Sequence, residues 1–121
     1  MASKLFINNT GFQVNGNLVV RAGTVPGNNL NSVQFTLDSG IGSQQKIEYG
    51  DVNNVFVDAL QLSSLANGGY IISNQIIETR GGVLDDLFNR YDTITVAMQS
   101  QSFVVTSSNT WATTLANDEI Y

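Results

Sequence analysis

"QVNGNLVVRA", residues 13–22, alternates: Val14, Leu18, Val20 and Ala22 fall on one side of an extended chain, Asn15, Asn17, Val19 and Arg21 on the other. Successive side chains of a β-strand point to opposite faces, so this period of two implies a strand with one face packed and one face wet. Gly16 interrupts the series without shifting it, because Val14 stays in phase with Leu18. Glycine inside a strand marks a bulge, and "NG" also suits a two-residue hairpin turn. The preserved phase favours the bulge.

The same rhythm recurs along the chain. "KLFIN" (4–8) reads as a first strand and "NNTG" (8–11) as the turn that follows. "SVQFTLD" (32–38) sets Val33, Phe35 and Leu37 against Gln34, Thr36 and Asp38. "QQKIEYGD" (44–51) sets Gln45, Ile47 and Tyr49 against Lys46 and Glu48. In "NNVFVDALQLSS" (53–64), Phe56, Leu60 and Leu62 are in phase, with the acid Asp58 among them. "NGG" (67–69) is a turn signal before "YIISNQIIET" (70–79), a strand apolar on both faces near its ends. "DTITVAM" (92–98) and "SFVVTSS" (102–108) form a hairpin around "QSQ". Seven to eight short strands with turn signals between them predict an all-β fold, an antiparallel β-sandwich of Ig-like or jelly-roll-like type. A parallel sheet needs crossover helices, and there is room for only one. With no internal repeat and no linker-like stretch, residues 1–121 are expected to form a single sandwich domain.

The exception to the rhythm is "GGVLDDLFNRYDT" (81–93). Val83, Leu84, Leu87 and Phe88 are spaced for one helical face, which predicts one short helix near 83–90. Asp85 and Asp86 in its first turn and Arg90 near its end complement the helix dipole. A functional reading makes Glu78, Asp85, Asp86 and Asp92 a carboxylate cluster, with Asp85 and Asp86 as candidate ligands of a hard cation. The spacing lacks the "DxDxDG" form of a calcium loop, and Arg80 and Arg90 compete for the same carboxylates.

Composition narrows the function classes. The 121 residues contain no cysteine and no histidine. That removes disulfides, thiolate nucleophiles, His-based triads and His-ligated metals, together with the side chain that ordinarily titrates near neutrality. Catalysis and a cofactor are therefore not expected. Ten acids against five cations give a net charge of −5, and the cations (Lys4, Arg21, Lys46, Arg80, Arg90) are scattered. Nucleic-acid binding needs clustered cations, so none is expected, and the same holds for docking on an anionic membrane. No apolar run is long enough to insert into a bilayer. The start, "MASKLFINNTGF", lacks the pattern of a signal peptide, and with the absence of cysteine this points to the cytoplasm.

Two stretches are candidate binding segments. "YGDVNN" (49–54) places Tyr49, Asp51, Asn53 and Asn54 in one loop, where amides and a carboxylate can meet sugar hydroxyls and the ring can stack on a pyranose. The tail carries the only tryptophan, and Trp111, Leu115 and Tyr121 suit an interface with a second copy. The strands are rich in Thr, Gln, Asn and Ser and poor in Lys, a common guard of sheet edges. The sequence thus predicts a non-catalytic structural or protein-interaction module that self-associates into a homo-oligomer. A small carbohydrate-binding, lectin-like protein using the loops at one end of the sandwich is the alternative.

Overall fold

The computed structural model describes residues 2–21, 26–27, 29–50, 56–66 and 68–109. Among these, eight strands and one helix follow in the order β1 (Ala2–Asn8), β2 (Val14–Arg21), β3 (Asn29–Leu37), β4 (Ser43–Tyr49), β5 (Phe56–Ala66), β6 (Gly69–Ile76), α1 (Val83–Asn89), β7 (Thr93–Gln99) and β8 (Ser102–Ser108). The strands make two four-stranded sheets, ordered β4-β1-β7-β8 and β3-β2-β5-β6. The protein is an all-β sandwich with one short helix.

One pairing departs from the antiparallel expectation. Leu5–Asn8 of β1 run parallel to Thr93–Val96 of β7 at the centre of the first sheet. The other strand pairs are antiparallel. A parallel pair needs a long connection, usually a helix. Here the connection is the whole of the second sheet together with β4 and α1, so a chain with a single helix can make it.

The packed layer follows the alternation. Val14, Leu18 and Val20 of β2, Phe35 and Leu37 of β3, Ile47 and Tyr49 of β4, and Leu60 and Leu62 of β5 are all buried. On the first sheet Phe6, Ile94 and Val96 join Ile47 and Tyr49 against the residues of β2, β3 and β5, and Phe88 and Ile77 belong to the same core. The rings of Phe6 and Phe35 lie 4.8 Å apart across the two layers, tilted by 44°. Such offset aromatic pairs add to the area they bury.

Gly16 is not a bulge. It keeps register with Phe35 on one side and Leu62 on the other. A Cβ at this position would stand 2.2 Å from Cζ of Phe35. The position is glycine because the Phe35 ring lies over it. The register instead slips at the far end of β2, between Val19 and Val20 against β5 and between Val20 and Arg21 against β3. Val19 pairs with Ala59 and Val20 with Val57, so Asp58 is the extra residue on β5. A bulge resets the pleat. That is why Val57 is buried although it is out of phase with Leu60 and Leu62.

The opposite end is tied by Asn8. Its amide nitrogen donates to the carbonyls of Phe12 (2.7 Å) and Asp38 (2.8 Å), and its oxygen accepts the Thr10 N–H and hydroxyl. This organises the turn expected after the first strand. The β7–β8 hairpin turns at Ser100 and Gln101, both at positive φ (52° and 63°), which matches the hairpin turn to the strand twist.

The close approach at Gly16 makes a specific prediction. Gly16→Ala is expected to destabilise the protein by about 1–3 kcal/mol through overpacking. Adding Phe35→Leu should recover part of that loss, a non-additivity that urea denaturation of the two single variants and the double variant measures.

Candidate functional site

A charged interior lies where β2 ends and β5 begins, against α1. Arg21 is 1% exposed. Its Nη2 donates to Asp85 Oδ1 at 3.1 Å, and its Nη1 stands 3.7 Å from Asp58 Oδ1. The guanidinium carbon lies 5.3 Å from the centre of the Phe56 ring. Nε and Nη1 have no hydrogen-bond partner, so this buried cation is held mainly by charge and by the ring face. Asp58 also accepts the N–H of Gly27 at 2.9 Å.

Asp85 is committed on both oxygens. Oδ1 accepts from Arg21 and from the Asn89 amide at 2.7 Å, and Oδ2 accepts the N–H of Gly81 at 2.8 Å. Gly81 has φ +80°, a conformation that favours glycine and turns its N–H toward the carboxylate. Burial pushes the Asp85 carboxyl up, but the Gly81 and Asn89 hydrogen bonds and the Arg21 charge outweigh it and hold the group below its ordinary value. Asn89, one turn later on the helix, accepts the Val57 N–H at 2.5 Å and donates to the Val57 carbonyl at 2.9 Å. β6 leaves β5 just before this point, its last contact being the Ile77 N–H on the Asp58 carbonyl. The Asn89 amide therefore takes the place of a neighbouring strand. The helix buries Phe88 and Asp85, whereas Val83, expected on its apolar face, is 87% exposed.

A second buried cation lies in the first sheet. Lys4 points between the layers, 4% exposed, and donates to the Tyr91 carbonyl at 2.6 Å. Its ammonium is 5.9 Å from the centre of the Tyr49 ring. Burial pulls the lysine down to about 8 against the opposing attraction of Asp92. Burial likewise pushes the Tyr49 phenol up to about 12.

Two outer surfaces contrast with this interior. Across β3-β2-β5-β6, Asn17 lies opposite Gln34 and Gln61, and Gln61 opposite Asn74. Four amides thus stand side by side over a groove of about 580 Å³, flanked by Asn15 and Thr36. Along the edge strand β6, Tyr70 (71%), Ile72 (74%) and Ile76 (50%) are exposed, with Leu65 beside Tyr70.

The structure places the residues singled out in the sequence as follows. Tyr49 is the last residue of β4, paired with Ala2, and its ring is inside the core rather than presented in a loop. Asp51, Asn53 and Asn54 lie outside the described residues, as do Trp111, Leu115 and Tyr121. Asp85 meets one other acid, Asp58, but across the Arg21 guanidinium that both face, and among the described residues, Asp86 included, no group of three His, Cys, Asp or Glu could hold a metal ion. Arg21, Lys4 and Asn89 escaped sequence reasoning. A signal for the first was present, because an acid in phase with the core residues of β5 requires a buried cation. Among the described residues no helix is long and apolar enough to cross a membrane.

Compared with known protein families, curated proteins and solved structures, the chain matches none.

The two buried cation sites predict opposite limbs of a pH profile. Asp85 has a lowered folded-state pKa, so its contribution is present above the ordinary value of 3.8 and is lost as pH falls through the folded value. Asp85→Asn should flatten that acid limb. Lys4 is also lowered, from 10.5 to about 8, but here the unfolded chain holds its proton longer. Stability is therefore expected to rise by about 2 kcal/mol between pH 8 and 10. Above pH 10 the buried Tyr49 reverses the slope, because the unfolded chain then ionises first. Urea denaturation across this range checks both limbs, and Lys4→Met should abolish the rise.

Proposed function

We propose that the protein is a non-catalytic interaction module that self-associates through the edge strand β6. The observation that carries this reading is the row Tyr70, Ile72 and Ile76, exposed together on an open sheet edge. Exposed apolar rows on unguarded edges are templates for pairing with another chain. Of the four edge strands, β4 carries Lys46 and Glu48, whereas β3, β6 and β8 carry no charged residue. Only β6 combines that lack of charge with a strongly apolar outer row.

A second copy suits this edge because the strand is self-complementary. Antiparallel pairing of β6 with its own copy, centred on Ser73, sets Tyr70 against Ile76 and Ile72 against Asn74. Such a two-fold contact closes on itself and gives a dimer rather than a fibre. The buried charges support a non-catalytic role: Arg21 is paired with Asp58 and Asp85, and Lys4 is spent on a backbone carbonyl.

Light scattering on a sizing column tests the reading. The wild-type protein is expected to run as a dimer, and Tyr70→Lys/Ile76→Lys as a folded monomer, since lysines on an edge oppose pairing. A wild-type monomer at high concentration, or a dimer that survives both lysines, would contradict it.

A further inference from the structure

We infer that the outer face of the β3-β2-β5-β6 sheet is a binding site for an extended, uncharged oligosaccharide. The site is the sheet face itself, centred on Asn17 and Gln61. It is distinct from the 49–54 loop, and it shares Ile72 and Asn74 with the β6 edge.

Three features define the ligand. The first is charge. The chain carries a net charge of −5, yet no Asp, Glu, Lys or Arg lines the groove. An anionic ligand finds no cation there and a cationic one no carboxylate, so the occupant is neutral.

The second is hydrogen-bonding capacity. Gln34, Asn17, Gln61 and Asn74 form a row of amides across all four strands. Each amide has two donor hydrogens and an acceptor oxygen. Asn17 Nδ2 donates to Gln61 Oε1 at 3.0 Å, and Thr36 Oγ1 to Asn15 Oδ1 at 3.1 Å, which fixes their orientation while leaving most of their capacity unused. Asn17 Oδ1 is cut off from water and has no partner. A buried acceptor without a partner costs free energy, which a rotation of the Asn17 amide toward a ligand hydroxyl in the groove would relieve. An apolar ligand would instead bury more unpaired amides. Vicinal hydroxyls, each donor and acceptor, match the amides group for group.

The third is dimension. Neighbouring strands lie about 4.8 Å apart, so the row spans roughly 14 Å. The strand spacing is close to the repeat of one sugar ring along an extended oligosaccharide, which lets successive rings meet successive amides. Ile72 supplies an apolar border for the C–H face of a ring. A peptide would pair with backbone at a sheet edge, which a face does not offer.

The test uses the intact protein with cellohexaose, xylohexaose, mannohexaose and maltohexaose as probes, and hexagalacturonate as a charged comparison. Calorimetry should show at least one neutral hexasaccharide binding with Kd between micromolar and millimolar. The hexagalacturonate should bind at least about tenfold more weakly. NMR shift changes in the wild-type protein should concentrate on β2 and β5, a readout that needs no variant. Asn17→Ala/Gln61→Ala should weaken binding by about tenfold or more without changing the thermal unfolding midpoint. Absence of binding by all four neutral probes at millimolar concentration would overturn the proposal, as would equal binding of the charged one. Shift changes confined to the loops or to the β6 edge would also overturn it. So would a double variant that alters the oligomeric state while no sugar binds, since the face would then meet protein.

Discussion

The guanidinium of Arg21, held out of water between Asp58 and Asp85, is the interaction on which one whole end of the sandwich depends. It ties the last residue of β2 and the bulged residue of β5, already neighbours in the sheet, to the side chain of Asp85 on the helix. A buried cation is tolerable only if its countercharges are placed close to it, because the cost of leaving water is several kcal/mol per ion. That requirement explains the local irregularities. The bulge exists where Asp58 must turn toward Arg21. The glycine at position 81 exists where a backbone N–H must complete Asp85. Once Asp85 is seated, Asn89 one turn later falls against Val57 and continues the sheet where β6 has departed.

This arrangement also shapes the surface. Two of the five cations, Lys4 and Arg21, are consumed inside the protein, while Lys46, Arg80 and Arg90 are exposed. The second sheet is left with an outer face of amides and hydroxyls and an edge of apolar side chains, neither carrying a formal charge. Recognition by such surfaces rests on shape, hydrogen bonds and apolar contact rather than on charge steering. Rigid strands hold the groups in both cases, so a partner binding at either surface would leave little further ordering to offset.

Much of the sandwich was legible in the sequence, because alternation is a direct consequence of the pleat. Val33, Phe35 and Leu37 face inward as their spacing implies, and the helix lies where the period changes. Three things were not legible, each for a physical reason. The slip at Asp58 breaks the period within β5, so Val57 could not be assigned to the core by counting. The role of Gly16 depends on a ring from a strand nineteen positions away. The amide row exists only in the register of four strands, and no single segment displays it. The exposed Val83 shows the same limit: helical spacing marked it as apolar, but the helix turned its Asp85 inward because a buried arginine was waiting there. Tyr49 carried two readings, the end of an alternating strand in phase with Ile47 and the start of a binding loop, and the first holds: the strand ends on its buried ring.

The most direct test of the account is a double-mutant cycle between Arg21 and Asp85, using Arg21→Met and Asp85→Leu and reading unfolding free energies in urea. If the guanidinium seats the helix, each single change leaves a buried charge without its partner and costs about 3–5 kcal/mol. The double variant should then lose less than the sum, by more than about 1.5 kcal/mol. Losses that add within about 0.5 kcal/mol would show the two residues to be energetically independent and would contradict the account.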